Sequence, residues 1–374
     1  MVTLRDKSTE MKLKFLLLAG ICLLRLSGIA QSTTPPYHII AYYTGNGELI
    51  KQYPVHQLTH IIYSFLKIQN DTLSFKSPAQ EASLKQLVEL KKINPALKIM
   101  VSIGGWGGCG PCSELFASAE HRATFAKTTV ALFKQYGVDG IDLDWEYPTI
   151  EGYPGHRYAP EDMNNFTELI RALRREMGKD YILSFAAGGF TRFLEGSVDW
   201  AAIMPEVDFV NLMTYDLTSG ASKTTGHHTP LANNTTQKQS ATNCIDWLIA
   251  HHVPANKLVM GAAFYARIWE DVANINHGLY QSGKFIQGLS YKKSAEYYAA
   301  TPGYKYYFDH QAKAPYQYNA DKKLFATFDD SRSLKKKTAF IRKHKMAGIM
   351  FWELSQDKTE DGLVGVIYRN LNGR

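Results

Sequence analysis

The chain has 374 residues, of which 45% are hydrophobic and 21% charged. That is enough for one large domain or two ordinary ones, each with a full hydrophobic core. The formal net charge is +7, of which residues 1–30 carry +3, and the remaining +4 is too mild to indicate a nucleic-acid-binding protein.

The amino terminus carries the pattern of a secretory signal peptide. Two lysines precede the apolar run 15–24, and small residues stand at the −3 and −1 positions of a cleavage site before Gln31. The run is too short to span a bilayer. A retained anchor or a lipid on Cys22 is the alternative, although Ile21 fits a lipidation site poorly. We therefore expect residues 1–30 to be removed and the mature protein to be secreted, extracellular or periplasmic.

Apolar runs typical of buried β-strands recur along the rest of the chain. Most are nearly continuous, as expected for strands that are covered on both faces of a parallel sheet. They lie at residues 39–43, 61–66, 98–103, 140–146, 182–187, 209–215, 258–264 and 347–352.

Amphipathic helical stretches separate these runs. In residues 160–177 the apolar side chains follow the spacing i, i+3, i+4, i+7, and Gly178 ends the helix. The other predicted helices cover residues 79–93, 121–136, 243–251 and 331–345. Eight strands that alternate with helices predict an α/β fold, a (β/α)8 TIM barrel.

The regular spacing is interrupted once, between the seventh and eighth strands. About 80 residues separate them, roughly twice the usual interval, and the segment is rich in Tyr, Lys, Gly and Asn. We interpret it as a small α+β insertion. The predicted organisation is a signal peptide at 1–30, a catalytic barrel at 31–267 and 329–374, and an insertion domain at 268–328.

The fourth predicted strand carries an unusual row of acids. Asp142, Asp144 and Glu146 alternate with bulky apolar residues, so an extended strand places all three carboxyl groups on one face. Like charges in a site that excludes water raise the pKa of at least one member, which can then act as a general acid. A solvated edge strand is the simpler alternative, but bulky apolar neighbours argue against it. Asp139 has the opposite parity and is interpreted as structural.

The acidic row resembles the DxxDxDxE signature of glycoside hydrolase family eighteen, the chitinases and their relatives. Further strand ends resemble other motifs of that family. Residues 102–106 are similar to SxGG, with Trp106 after the glycines; residues 213–216 are similar to MxYD, and residues 265–267 to YxR. The resemblance extends over the whole mature chain. It implies that the segment between strands seven and eight forms one wall of a deep cleft.

The resemblance also implies a mechanism without an enzyme nucleophile. Family members cleave the β-1,4 bond after an N-acetylglucosamine with retention, and the acetamide oxygen of the substrate attacks the anomeric carbon. Glu146 would be the general acid and then the base. Asp144 would orient the acetamide and stabilise the positive intermediate, Asp142 would tune the shared proton, and Tyr215 would hydrogen-bond the acetamide carbonyl.

The resemblance places a set of aromatic and polar residues around the bound sugars. Trp352 would form the floor under the distorted sugar, because aromatic faces suit the apolar faces of pyranose rings. The full predicted substrate-binding set is Tyr42, Phe65, Trp106, Tyr147, Met213, Asp216, Tyr265, Arg267 and Trp352. We expect a monomer that binds chitin or N-acetylglucosamine oligosaccharides, without a cofactor, nucleic acid or membrane partner.

Two sequence features could be mistaken for other chemistry. Cys109 and Cys112 share the spacing of thioredoxin-like redox motifs, but the matching βαβ context is missing and a local disulfide suits a secreted chain better. Cys244 is then expected to be a free, buried thiol. The pairs 227–228 and 251–252 are adjacent histidines without helical spacing, so we expect loop or surface residues and no metal.

Two alternative functions fit parts of the pattern. One is an endo-β-N-acetylglucosaminidase that acts on glycoprotein glycans; such enzymes often depart from MxYD and lack the insertion, and this chain has both. The other is a non-catalytic chitin-binding lectin, and such proteins typically lose the last acid of the motif. Glu146 is present, which favours the enzyme.

Overall fold

The computed structural model describes residues 37–373, and eight of its strands close into a parallel barrel. Each strand pairs with the next around the ring, and β1 closes it by pairing with both β2 and β14. The barrel strands are β1 (His38–Tyr43), β2 (His60–Gln69), β4 (Lys98–Gly104), β5 (Gly140–Asp144), β6 (Ile182–Gly188), β7 (Phe209–Met213), β8 (Leu258–Ala263) and β14 (Gly348–Trp352). The short strand β3 (Thr72–Ser74) extends β2 as a hairpin.

The alternation of side chains explains why the strands are apolar throughout. In β1, Ile40 and Tyr42 belong to the small cluster inside the barrel, and Ile39, Ala41 and Tyr43 belong to the large layer between barrel and helices. Both faces of each strand are therefore buried, which is the arrangement that nearly continuous apolar runs predict. The predicted (β/α)8 barrel is confirmed.

Helices cover the outside of the barrel, and their ends follow the usual capping chemistry. Ser118 accepts a hydrogen bond from the backbone N–H of His121 at the start of one helix, and Gly137 ends it with φ +71°. The helices are α1 (Pro78–Glu89), α2 (Cys112–Leu115), α3 (Ala119–Tyr136), α4 (Asp162–Met177), α5 (Thr191–Gly196), α6 (Trp200–Ile203), α7 (Ala241–Ala250), α8 (Tyr291–Ala300), α9 (Ser331–His344) and α10 (Leu363–Leu371). Within the described residues, no helix is both long and apolar enough to cross a membrane.

A second sheet of five antiparallel strands lies between β8 and α9. Its order is β10-β9-β13-β12-β11, and α8 packs beside it. The strands are β9 (Tyr265–Glu270), β10 (Lys284–Ser290), β11 (Tyr304–Asp309), β12 (Ala314–Asn319) and β13 (Leu324–Thr327). The α+β character predicted for this segment is present, and the sheet starts at Tyr265, just before the expected boundary at residue 268.

Two barrel strands end earlier than predicted. β5 stops at Asp144 and β7 at Met213, so Glu146, Tyr215 and Asp216 lie in the loops that follow. Apolar runs alone cannot show this, because the loop residues at the carboxyl edge stay buried after the ladder has ended. The predicted signal peptide, residues 1–30, lies outside the described residues.

Candidate active site

The three acids of β5 and its loop lie at the carboxyl end of the barrel. Asp142 is fully buried and accepts hydrogen bonds from four neutral groups, Tyr42 Oη at 2.7 Å, Ser184 Oγ at 2.6 Å, Asn211 Nδ2 at 3.0 Å and Ser102 Oγ at 3.4 Å. Burial raises the pKa of Asp142, although these hydrogen bonds counteract the rise. The hydrogen-bonding capacity of Asp142, the innermost acid of the row, is thus satisfied without a cation.

The environment of Asp144 favours its protonated form. Burial raises its pKa well above the usual range, and the negative charges of Glu146 and Asp142 raise it further. Its Oδ1 is buried and has no hydrogen-bond partner within residues 37–373. A buried carboxylate oxygen without a donor is costly, and a donor brought by a ligand would remove that cost.

Glu146 lies two residues beyond Asp144, in the loop. Burial is the main reason why the pKa of Glu146 is raised to about 7. The negative charge of Asp216 raises this pKa further, and a hydrogen bond with Tyr147 lowers it. A carboxyl group with a pKa near neutrality can donate a proton and later accept one, which is the property that a general acid and base requires.

The first glycine of the SxGG motif allows the backbone to approach this row. Gly104 has φ +94°, and a Cβ atom there would lie 1.9 Å from the carbonyl oxygen of Asp144. The next residue, Gly105, donates its N–H to the same carbonyl at 2.8 Å. Any larger residue at position 104 would displace the strand that carries Asp144.

Aromatic rings lie beside the acids. The ring of Trp352, at the end of β14, stacks on Phe65 with centroids 5.6 Å apart and lies 5.8 Å from the ring of Tyr42. Burial raises the pKa of Tyr215 well above its usual range, and the nearby carboxylates of Asp144 and Glu146 raise it further. The phenol of Tyr215 therefore stays protonated and can donate a hydrogen bond.

A second group of side chains surrounds Asp216. Arg267 Nε donates to Asp216 Oδ1 at 2.6 Å, and its Nη2 donates to Oδ2 at 2.5 Å. His228 Nδ1 lies 3.4 Å from the same carboxylate, and its ring packs on Tyr265 with centroids 5.1 Å apart. Burial alone would raise the pKa of Asp216, but the contacts with His228 and Arg267 outweigh it and lower that pKa.

The remaining predicted residues divide between the mouth of the cleft and its base. Trp106 is 60% exposed and meets Tyr153 edge-on, with centroids 5.7 Å apart. Tyr147 packs against two phenylalanines of the outer layer, and Met213 lies in the cluster inside the barrel. Trp106 is thus the member of the predicted set that is freely available to a ligand.

The cysteines lie in the loop that follows Trp106. Cys109 and Cys112 are joined by a disulfide, with Cα atoms 5.2 Å apart. Cys244 is free and buried on α7, as expected, and burial raises its pKa to about 12. A thiol with so high a pKa is unreactive at neutral pH.

His227 and His228 lie in a loop, which is one of the two placements expected, but they do not lie at the surface. Both are fully buried, because the five-stranded sheet packs over the loop that holds them. His227 Nε2 lies 3.1 Å from Asp309 Oδ2 on β11. Pattern analysis treats a loop histidine as exposed and cannot anticipate that a segment 80 residues later covers it. Residues 37–373 contain no group of three His, Cys, Asp or Glu side chains arranged to hold a metal.

Two functional partners were missed although the sequence contained a signal. Ser184 and Asn211 stand as single polar residues within the apolar strands β6 and β7, and both donate to Asp142. A lone polar side chain in a strand that is buried on both faces must find a partner inside the barrel. From that rule, the sequence alone could have predicted that Ser184 and Asn211 hydrogen-bond to the acidic row.

A comparison with known protein families identifies this arrangement. The family model described as "Glycosyl hydrolases family 18" matches residues 38–357. Among curated proteins, the chain is 35% identical to Chitinase A1 of Niallia circulans over 306 residues, which cover 74% of this chain and 43% of that protein. It is 29% identical to Chitinase B of Serratia marcescens over 381 residues, covering 84% and 76%. The chain thus spans less than half the length of Chitinase A1.

Solved structures show the same fold. An N-acetylglucosaminidase of glycoside hydrolase family 18 from Paenibacillus barengoltzii is 34% identical, with a TM-score of 0.79 over 89% of this chain and 99% of that one. Chitinase ChiA74 from Bacillus thuringiensis is 27% identical, with a TM-score of 0.84 over 90% and 70% of the two chains.

Proposed function

Because the chain belongs to family 18 of the glycosyl hydrolases, we propose that it is a secreted chitinase that cleaves β-1,4 bonds between N-acetylglucosamine units. The relatives named as chitinases cover most of this chain, which supports chitin as the substrate class. We further propose that cleavage retains the anomeric configuration and uses the acetamide of the substrate as the nucleophile.

The observation that carries the mechanism is the unpartnered oxygen of Asp144. Its buried Oδ1 lacks a donor, and an N-acetyl group in the site would supply one through its amide N–H. Once held there, the acetamide carbonyl faces the anomeric carbon and can attack it. Asp144 then lies beside the positive oxazolinium intermediate and stabilises it electrostatically.

Glu146 supplies the proton for the leaving group. With a pKa of about 7, a large fraction of Glu146 is protonated at neutral pH. After the leaving group departs, the carboxylate accepts a proton from water, which attacks the intermediate and restores the acid. Asp142 shares the proton of Asp144 as a coupled group, because its own pKa is raised as well.

The insertion contributes one wall of the proposed cleft. Tyr265 and Arg267 lie at the start of β9, the first strand of the five-stranded sheet, and Arg267 reaches Asp216 after β7. We propose the domain division as a barrel at 31–267 and 329–374 with an insertion at 268–328, in which β9 connects the two parts. Secretion is proposed on the residue pattern of 1–30, and amino-terminal sequencing of the secreted protein, expected to begin at Gln31, tests it.

A second candidate is an exo-acting N-acetylglucosaminidase. The likeness to the Paenibacillus barengoltzii enzyme favours it, since that whole chain is covered at 34% identity. The glycoprotein-glycan and lectin alternatives have less support: the intact Glu146 speaks against a lectin, and the names of Chitinase A1, Chitinase B and Chitinase ChiA74 refer to chitin.

A mass-spectrometric time course of N-acetyl-chitopentaose hydrolysis separates these functions. A chitinase releases dimers and trimers early, whereas an exo-acting enzyme releases the monosaccharide from the first turnover. The Glu146→Gln protein serves as the control and should leave the pentaose intact. Binding without cleavage by either protein would show a lectin, and neither binding nor cleavage would overturn chitin as the substrate and point to N-linked glycans.

A further inference from the structure

A cavity of about 270 Å³ lies at the junction of the insertion and the barrel, and Asp142, Asp144 and Glu146 are not among the residues that line it. It is bounded by α8, by the face of the five-stranded sheet that α8 covers, and by the loop that leads into α9. Ala266 lines it, whereas Arg267, the next residue on β9, reaches Asp216 in the active site. Tyr265 lines the cavity as well, and its ring also packs against Tyr215 and His228, so the cavity borders the active site.

Two polar groups on the cavity wall have no partner. Tyr298 Oη and Gln317 Oε1 are buried and make no hydrogen bond within residues 37–373. The first can donate a hydrogen bond and the second can accept one. Buried polar groups are nearly always satisfied, so a donor and an acceptor left open in one cavity indicate a ligand that carries the complementary pair.

The charged groups at the rim are already engaged. Asp329 pairs with Lys337 at 2.6 Å, and Asp330 accepts from Tyr306 Oη at 2.9 Å while it caps α9. The ammonium of Lys358 lies over the ring of Tyr291 at 5.5 Å. Lys337 neutralises Asp329, and the remaining charges at the rim, those of Asp330 and Lys358, are opposite in sign. The rim therefore has no net charge that selects an ionic ligand, and we expect the ligand to be uncharged.

The aromatic walls and the volume of the cavity restrict the chemical class of its ligand further. Aromatic rings from α8, β11 and the loop before α9 face the cavity, those of Tyr291, Tyr298, Tyr306 and Phe328. Such rings suit the apolar face of a pyranose. The volume lies just below the range of about 300–1,000 Å³ that holds a drug-sized ligand, so a single ring fits rather than a chain.

We propose that this cavity is a second carbohydrate site, which binds one N-acetylated hexosamine ring. Gln317 Oε1 accepts from the amide N–H of the acetamide, and Tyr298 Oη donates to its carbonyl, while the tyrosine rings contact the sugar face. The choice of N-acetylated hexosamine over other sugars rests on the proposed function. The ring could belong to the released monosaccharide or to the end of a longer chain.

Tyr298→Phe tests this site with little risk to folding, because removal of a buried hydroxyl without a partner costs little stability. Tyr304→Phe is the matched control: its hydroxyl is also buried without a partner, but Tyr304 does not line the cavity. The 13C-labelled methyl groups of Ala266 and Ala295, which line the cavity, report binding by NMR.

Titration with N-acetylglucosamine should shift both methyl signals in a saturable manner. The affinity should fall about fivefold in Tyr298→Phe, the effect of one hydrogen bond, and stay unchanged in Tyr304→Phe. Glucosamine, which lacks the acetyl group, should bind more weakly. Absence of a shift, or equal affinity in wild type and Tyr298→Phe, would overturn the proposal.

Titration of Glu146→Gln protein with N-acetyl-chitopentaose distinguishes the two sources of the ring. Shifts with the pentaose indicate that the site takes chain ends, and shifts with the monosaccharide alone indicate that it takes the product. Hydrolysis of the pentaose by the wild-type protein is measured in parallel. Hydrolysis with an empty cavity would refute only the second site, whereas a filled cavity without hydrolysis would refute only the proposed activity.

Discussion

The acidic row of β5 and its loop lies close enough to Asp216 for their charges to interact, yet the pKa values of the row and of Asp216 shift in opposite directions. Burial raises the pKa of Asp142, Asp144 and Glu146, and none of the three forms a salt bridge with a Lys, Arg or His of residues 37–373. Asp216 is half-buried, and its contacts with the ring of His228 and the guanidinium of Arg267 lower its pKa. The partner of a buried carboxylate, rather than its burial, decides whether it can carry a proton.

The opposite pKa shifts indicate two different roles, proton transfer by the acidic row and positioning by Asp216. A row with raised pKa values can transfer a proton, and a carboxylate that stays ionised can fix the geometry around it. The two groups also interact, because the charge of Asp216 contributes to the raised pKa of Glu146. The predictions below separate the proton-carrying group from the positioning group, in order of decreasing effect.

Glu146→Gln should lower kcat by about 10²–10⁴-fold or more, because the amide cannot donate the proton to the leaving group. Steady-state hydrolysis of N-acetyl-chitopentaose measures it, and thermal unfolding shows that the fold persists. Wild-type turnover in this variant would remove Glu146 from the mechanism.

Asp144→Asn should be nearly as severe, with kcat lower by about 10²–10³-fold, since the positive intermediate loses its electrostatic partner. KM should change much less than kcat, because the interaction develops in the transition state. Full activity in the variant would show that the acetamide of the substrate does not participate as proposed.

Asp216→Asn should lower kcat/KM about tenfold, because Arg267 loses its bidentate partner. It should also move the alkaline limb of the pH profile to lower pH, since a negative charge that raises the pKa of Glu146 has been removed. Asp309→Asn is the matched control: Asp309 also has a lowered pKa, beside His227, but lies in the insertion sheet. If the alkaline limb moved equally in Asp216→Asn and Asp309→Asn, the charge of Asp216 would not be a specific cause of the raised pKa of Glu146.

The wild-type pH profile follows from the raised pKa of Glu146. The protonated form of Glu146 is active, so kcat should fall about tenfold per pH unit above about pH 7. Stopped assays between pH 5 and 9 measure it. A limb near the usual glutamic acid pKa of about 4.3 would show that burial does not shift this group.

His228→Phe should have the smallest effect, a two- to threefold loss of kcat/KM, which is about the effect of one weak contact. An aromatic ring is kept beside Tyr265, and both ring nitrogens are lost, including Nδ1, which lies 3.4 Å from Asp216. A loss as large as that in Asp216→Asn would show that His228, and not Arg267, holds the carboxylate.

Much of this fold and part of the site could be predicted from the sequence. The eight apolar runs defined the barrel, and the alternation of Asp142 and Asp144 placed both carboxyl groups inside it, because strand periodicity is a local property. The lone polar residues Ser184 and Asn211 gave a signal that the same rule could have used.

The environment of Asp216 could not be predicted in the same way. His228 lies in a loop, Arg267 lies on the following sheet, and both reach Asp216 only because the insertion packs over the barrel rim. The buried pair His227 and Asp309 depends on the same long-range packing. No local periodicity encodes such contacts, and the direction of the pKa shift of Asp216 depends on them.

The most direct test of the account uses a series of aryl glycosides of N,N′-diacetylchitobiose in which the acetyl group next to the scissile bond carries zero, one or two fluorine atoms. Fluorine withdraws electrons from the acetamide oxygen, so an attack by that oxygen slows with each atom while the leaving group stays the same. The account predicts a steep fall in kcat along the series. An unchanged kcat would contradict it and show that the nucleophile does not come from the substrate.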